Sequence, residues 1–177
     1  MMIVSLDLEM NQAEKPKIIE IGLTIGDLSK KQLVDKTSIL VNPNENITEY
    51  ISTLTGITDH MVYKRPFIDG AYDEMLKYLN FYNVTHKQPV VWGSGDVKQL
   101  KGEIGDVDTF PFGYTEMNVK TLVQAIHTAK GLKTQGGLAK SMTKFGLRFQ
   151  GTKHRAVDDS YNTLLLYFHI LDMLRKV

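Results

Sequence analysis

The chain has 177 residues, 42% of them hydrophobic and 23% charged, which suits one ordinary domain able to bury a core without staples. It has no cysteine, which excludes a disulfide framework and any Cys-ligated zinc site, so a bound metal would have to use oxygen or imidazole ligands. The net charge of +1 hides an uneven distribution: residues 1–118 carry net −6, residues 119–156 carry eight Lys/Arg and no acid, and the remainder carries net −1.

The opening stretch MMIVSLDLEM lacks a basic leader region and sets two carboxylates among its apolar residues. It therefore reads as neither a signal peptide nor a membrane span, and a cytoplasmic location is expected. From Ile3 to Met10, the residues Val4, Leu6, Leu8 and Met10 alternate with Ser5, Asp7 and Glu9. That period of two is a strand, and it puts Asp7 and Glu9 on one face. A polar, Pro-containing loop (NQAEKPK) leads to a second strand over 18–25 (IIEIGLTI), and KTSILV at 36–41 makes a third before Asn42 and Pro43. Three strands joined by short links predict an antiparallel meander.

Beyond it the period changes. Ala71, Met75, Leu76 and Leu79 predict a helix over 68–82, and Pro89 introduces VVW, a short buried strand in which Trp92 reads as core. Helices are predicted over 95–104, 119–130 and 137–145, with Gly131 and Gly146 as C-terminal stops. From Asp158 to Lys176, the residues Tyr161, Leu164, Leu165, Phe168, Leu171 and Leu174 fall on one stripe of an amphipathic helix packed on the sheet. No repeat, low-complexity tract or linker interrupts the chain, so a single domain over 1–177 is expected. The order of elements implies an α/β fold with a mixed sheet, antiparallel half first, later strands joined by helical crossovers.

Asp7 and Glu9 repel each other unless a proton or a divalent cation lies between them, and neither stands at a helix start where an acid would cap free amides. Asp96, just past VVWGSG, and the Asp158/Asp159 pair stand where strand ends and helix starts meet, the place where α/β sites collect. Taken singly, Asp96 or Asp158 is better explained as a cap. His154 and Asp159 in one helix would be about 140° apart around the axis, so both reach one site only with the histidine on the preceding loop. Flanked by Lys153 and Arg155, that histidine alone would read as a surface residue. His86 and His127 show no partner pattern, and Gly136-Gly137 reads as a turn.

Lys120, Lys130, Lys133, Lys140, Lys144, Arg148, Lys153 and Arg155 form the basic block, a composition that draws a polyanion and that solvated helix faces without acids would also show.

DLE in the first strand, an Asp after a later apolar strand and H-x-A-x-x-D running into a C-terminal helix resemble the DEDDh 3′-to-5′ exonucleases of the ribonuclease H-like superfamily. IIEIG, TGIT at 55–58 followed by His60 and Met61, VVWGSGDVKQL and GLRFQGTKHRAVDDSYN carry the likeness over nearly the whole chain. WGxxDxxxL together with DDSxN is most similar to the branch that includes the sporulation-inhibitor and histone-mRNA exonucleases, rather than to polymerase proofreading subunits.

The resemblance implies a ribonuclease H-like fold whose mixed five-stranded sheet, antiparallel in its first three strands and then parallel, is flanked by helices. It implies a 3′-to-5′ exonuclease that hydrolyses single-stranded RNA or DNA from a free 3′ end to nucleoside 5′-monophosphates. Two divalent cations, Mg²⁺ or Mn²⁺, would be held by Asp7, Glu9, Asp96 and Asp159, with His154 as general base. The motif's spacing selects Asp159 over Asp158.

Many members have Thr-Thr or Thr-Gly after the glutamate, where this chain has Met10 and Asn11, so reception of the 3′ terminus would differ in detail. Ile57 would touch the terminal base, while Lys153 and Arg155 are placed to meet the phosphate backbone. Two other readings stand beside this one: a module that binds 3′ ends without cutting, and an endonuclease on the same fold. RNA and DNA are not distinguished by residue type, and neither is the oligomeric state.

Overall fold

The alternating stretch at the start of the chain becomes β1 (Met2–Asn11) in the computed structural model, which describes residues 1–12, 15–105, 107, 110–113, 115–133 and 136–175. β2 (Lys17–Asp27) and β3 (Gln32–Leu40) complete the expected meander. β3 starts four residues before the predicted strand because its first half is an exposed sheet edge without apolar alternation to mark it. Ala13 and Glu14, in the predicted loop between β1 and β2, lie outside the described residues.

Two short helices that sequence periodicity does not reveal follow, α1 (Glu49–Thr55) and α2 (Asp59–Val62). Thr48 caps α1, and Gly56, at φ 73°, ends it. Then come α3 (Ile68–Phe81), β4 (Val90–Val91), α4 (Asp96–Ile104), β5 (Met117–Asn118), α5 (Val119–Ala129), α6 (Leu138–Lys144) and α7 (Ala156–Leu174). Lys176, the predicted end of the last helix, lies outside the described residues. No helix among the described residues is long and apolar enough to cross a membrane.

The sheet order is β3-β2-β1-β4-β5, with β1 central. β1–β2 and β2–β3 are antiparallel, whereas β1–β4 and β4–β5 are parallel, so the expected mixed five-stranded α/β sheet is observed. Alternation along β1 then sorts its side chains. Val4, Leu6 and Leu8 enter a core with Ala71, Met75 and Leu79 of α3 and Leu100 of α4. Ile3 belongs to a second core with Val123 of α5, Met142 of α6 and Leu164 and Phe168 of α7. The α7 side of the sheet is thus the side that also carries Asp7 and Glu9.

On β2 the residues facing α7 are Glu20, Gly22, Thr24 and Gly26, paired with or next to the β1 residues of that face. A Cβ on Gly22 would lie 2.0 Å from the Ala156 backbone, and one on Gly26 would lie 2.7 Å from the Phe168 ring. The two glycines let α7 descend onto the sheet. This close approach, with α5 and α6 packed against the same helix, corrects the predicted stripe. Leu166, Tyr167 and Ile170 are buried with Leu164 and Phe168, whereas Leu174 is 53% exposed.

Candidate active site

Each acidic residue of the site is delivered by a different local device. Asp7 and Glu9 stand two apart on the central strand, and the β1–β2 register shifts between Glu9 and Met10, where β2 carries Ile19 as an extra residue just before Glu20. Asp96 is the first residue of α4, separated from the short β4 by residues 92–95. It is not the helix cap: the amides of Gly95 and Val97 donate instead to the Glu116 carboxylate, at 3.4 and 3.0 Å. The Asp96 carboxylate is largely buried, and its charge is felt at Asp7 and Glu9 on β1. Asp159 lies in the first turn of α7.

One carboxylate oxygen from each of Glu9 and Asp159 and one ring nitrogen of His154 lie within 4.8 Å of one another. Asp7 lies near them, and burial and then the charges of Asp96, Asp159 and Glu9 push its carboxyl well above the usual range. Burial, followed by the charges of Asp159, Glu20 and Asp96, pushes Glu9 up to about 8. Burial and the neighbouring Glu116 raise Asp96 to about 7. Burial also raises Asp159, to about 6, although the His154 amide and imidazole oppose it. Asp7, Glu9 and Asp159 thus crowd into a region short of positive charge, whereas Asp96, close enough for its charge to act on Asp7, belongs neither to the 4.8 Å group nor to the lining of the cavity that opens over it. The donor set, carboxylate oxygens and one imidazole without sulfur, fits hard divalent cations.

The histidine loop is pinned. Its Gln150 amide donates to Asn162 at 2.9 Å, its Thr152 amide to Asp158 at 2.9 Å, and its His154 amide to Asp159 at 3.0 Å. Gly151, at φ 84°, leaves space that a Cβ would take from the Asp158 carboxylate, 2.3 Å away. Asp158 also accepts from Lys36 at 2.7 Å. Burial works against its charge, yet Lys36 and the Thr152 amide hold its carboxyl below the usual range. The two aspartates of HRAVDDS are therefore distinct, one tying the loop and the other facing the site.

A cavity of about 480 Å³ opens over this cluster, lined by Asp7, Leu8, Glu9, Trp92, residues 137–140, Phe149, Lys153, His154 and Asp159. Trp92 is only partly buried and forms one of its walls, a role that its apolar run concealed. Gly137 is the N-cap of α6 as well as a lining residue. Phe149 has no spacing that relates it to the acids, and Lys140, expected only as one cation of the basic block, lines the cavity itself.

Of the five residues expected to meet substrate, the cavity takes Lys153 alone. Ile57 is fully buried with Ile19, Ile47, Ile51 and Val62, so it packs and does not reach a base. Asn11 is 1% exposed, donates to Glu45 and the Asn46 carbonyl, and accepts from the Thr48 amide, which fastens the chain entering α1. Met10 packs against the core under α3. Arg155 forks onto the fully buried Glu20, with Nε and Nη2 at 3.1 and 3.0 Å. Glu20 also accepts from the Ala156 amide at 3.0 Å and from Ser38 at 2.6 Å. Arg155 thus joins the start of α7 to β2 and is not directed to a phosphate.

Residues 4–167 match the family model described as Exonuclease. The 3′-5′ exonuclease eri1 of Schizosaccharomyces pombe is 25% identical over 179 residues, which take in 82% of this chain and 58% of that protein. The DNA polymerase III subunit epsilon of Aquifex aeolicus is 28% identical over 174 residues, 97% of this chain and 81% of that one. The nuclease domain of 3′hExo, described as a DEDDh family member bound to rAMP, superposes with a TM-score of 0.82 at 19% identity, covering 97% of this chain and 92% of that one. At that identity the likeness is one of fold.

Proposed function

The chain belongs to the exonuclease family, with the four acids and the histidine of the DEDDh pattern in order along its sequence, and from that premise we propose that it is a metal-dependent 3′-to-5′ exonuclease. Residues 1–177 act as one exonuclease domain, and the substrate is single-stranded nucleic acid, RNA or DNA, with a free 3′ end. The products are nucleoside 5′-monophosphates. The observation that carries the reading is the meeting of Glu9, Asp159 and His154 within 4.8 Å, beside Asp7 in one open cavity.

Asp7, Glu9, Asp96 and Asp159 would hold two divalent cations, Mg²⁺ or Mn²⁺, which when bound offset the charge of the phosphodiester, activate water and stabilise the departing oxygen. His154 takes the proton of the attacking water, because imidazole is the side chain suited to proton exchange near neutral pH. The Asp159 carboxylate holds the His154 amide, so the same residue faces the site and orients the base. Trp92 and Phe149 offer apolar walls for a nucleobase, while Lys153 and Lys140 supply positive charge beside the acids.

The test is digestion of a 3′-labelled single-stranded oligonucleotide with Mg²⁺ or Mn²⁺. Release of labelled nucleoside 5′-monophosphate is expected from the native protein and not from Asp7→Asn, with a circular strand left uncut. Cleavage of the circle would make the protein an endonuclease, and tight binding of 3′ ends without turnover would make it a capture module.

A further inference from the structure

The cavity, at about 480 Å³, is too small for a strand, which leaves the question of where the nucleotides behind the 3′ terminus lie. Residues 117–157 contain no acid. The three acids of α7, which packs beneath α5 and α6, are already engaged: Asp158 with Lys36, Asp172 with Lys31, and Asp159 in the site. Lys130, Lys133, Lys140, Lys144 and Lys153 are all exposed, and none meets a carboxylate among the described residues.

Their placement is ordered. Lys153 and Lys140 line the cavity. Lys144 follows Lys140 by four residues on α6, hence on the same face and one turn (~5.4 Å) further along the axis. The Lys144 ammonium donates to the Lys133 carbonyl at 2.9 Å, which brings the end of α6 against the segment after α5. Lys130 caps α5 close by: after burial, the charges of Lys144 and Lys130 hold the His127 imidazole below its usual range, so both ammonium groups stand near that ring.

We propose that this face is a cation track along which the phosphates upstream of the 3′-terminal nucleotide run, from Lys140 at the cavity past Lys144 to Lys133 and Lys130. The proposal rests on the exonuclease reading for what occupies the cavity. A step of one helical turn is comparable with the spacing of successive phosphates in a single strand, so each lysine serves its own phosphate. The contacts are to backbone charge and carry no base preference. The track makes the enzyme length-dependent: a substrate reaching only the cavity forgoes it.

The experiment compares two substrates on Lys133→Glu/Lys144→Glu, residues outside the cavity. The p-nitrophenyl ester of thymidine 5′-monophosphate fills the cavity alone, whereas a long oligothymidylate reaches the track. The double variant is expected to raise KM for the oligothymidylate by ~10-fold or more at low salt and to make the log–log salt dependence of its binding shallower by about 1.4, two contacts at ~0.7 each. Ester hydrolysis and kcat are expected to hold, and Lys133→Arg/Lys144→Arg to behave as native.

Unchanged KM and salt slope for the oligothymidylate would overturn the track. So would equal losses on both substrates, since the lysines would then act through the cavity or the fold. Binding of a fluorescent oligothymidylate in chelator needs no turnover, so it reads the track even where the native protein cuts neither substrate and the exonuclease reading fails.

Discussion

His154 stands at φ 61°, a left-handed conformation that costs a histidine more than an asparagine. Asparagine in its place therefore keeps the backbone and removes the imidazole. His154→Asn is expected to lower kcat by ~10²–10⁴-fold, the range for a missing general base, with the melting temperature unchanged. A variant at native speed would remove the histidine from the chemistry. Its neighbour Arg155 gives the opposite result. With its guanidinium on a buried glutamate, Arg155→Ala strands a charge in the sheet, and an unfolding free energy lower by roughly 2–4 kcal/mol is expected from urea titration, after allowance for the partly exposed arginine. KM for an oligonucleotide should move little.

The contrast shows what residue types reveal. Asp7 and Glu9 were legible because a charge on the inward face of an apolar strand has no bland explanation. Arg155, Asn11 and Ile57 were misjudged as substrate contacts because adjacency to a motif does not say which way a side chain points. Arg155 was claimed by Glu20, 135 positions away, a partner that no local pattern announces.

At the level of elements, the junction of α7 with β2 decides whether the site assembles. Gly22→Ala would drive a methyl into the Ala156 backbone, so the helix start must rise off the sheet and carry Asp159 with it. A loss of ~1–3 kcal/mol or more in stability is expected, together with weaker Mn²⁺ binding measured by calorimetry. Native affinity for Mn²⁺ in this variant would show that the helix tolerates the shift.

The strands and long helices were readable because their periods repeat. The first pair of helices, seven and four residues long, offers too few turns for a period. The inward side of α7 was read too simply because a helix lying on glycines with helices at its flank buries more than one stripe.

The whole molecule carries the cost of gathering its acids. Carboxyls raised by burial and by neighbouring acids, Glu9 to about 8 and Asp96, beside Glu116, to about 7, keep protons that the unfolded chain has released by about pH 5. The native state then binds more protons than the unfolded state, so stability falls as pH rises from about 4 to about 8. Asp27, Asp35 and Asp158, held below the usual range, act in the opposite sense and only at lower pH.

Scanning calorimetry in chelator is expected to show a melting temperature that declines over this window. Mn²⁺ should restore it more at about pH 8 than at about pH 5, because the cations bind the deprotonated cluster. A chelated protein that gains stability toward pH 8 would mean that the acids do not share one site.

The central position of β1 has a consequence for how metal could be lost. A strand bonded on both edges opens only with global unfolding, whereas two-residue strands at one margin fray cheaply. Asp7 and Glu9 are accordingly held for the lifetime of the native state. Asp96, carried at the start of α4 beyond β4, would be the first of the four proposed ligands to be released by breathing of the sheet margin, and exchange of bound cations is expected to proceed through its side.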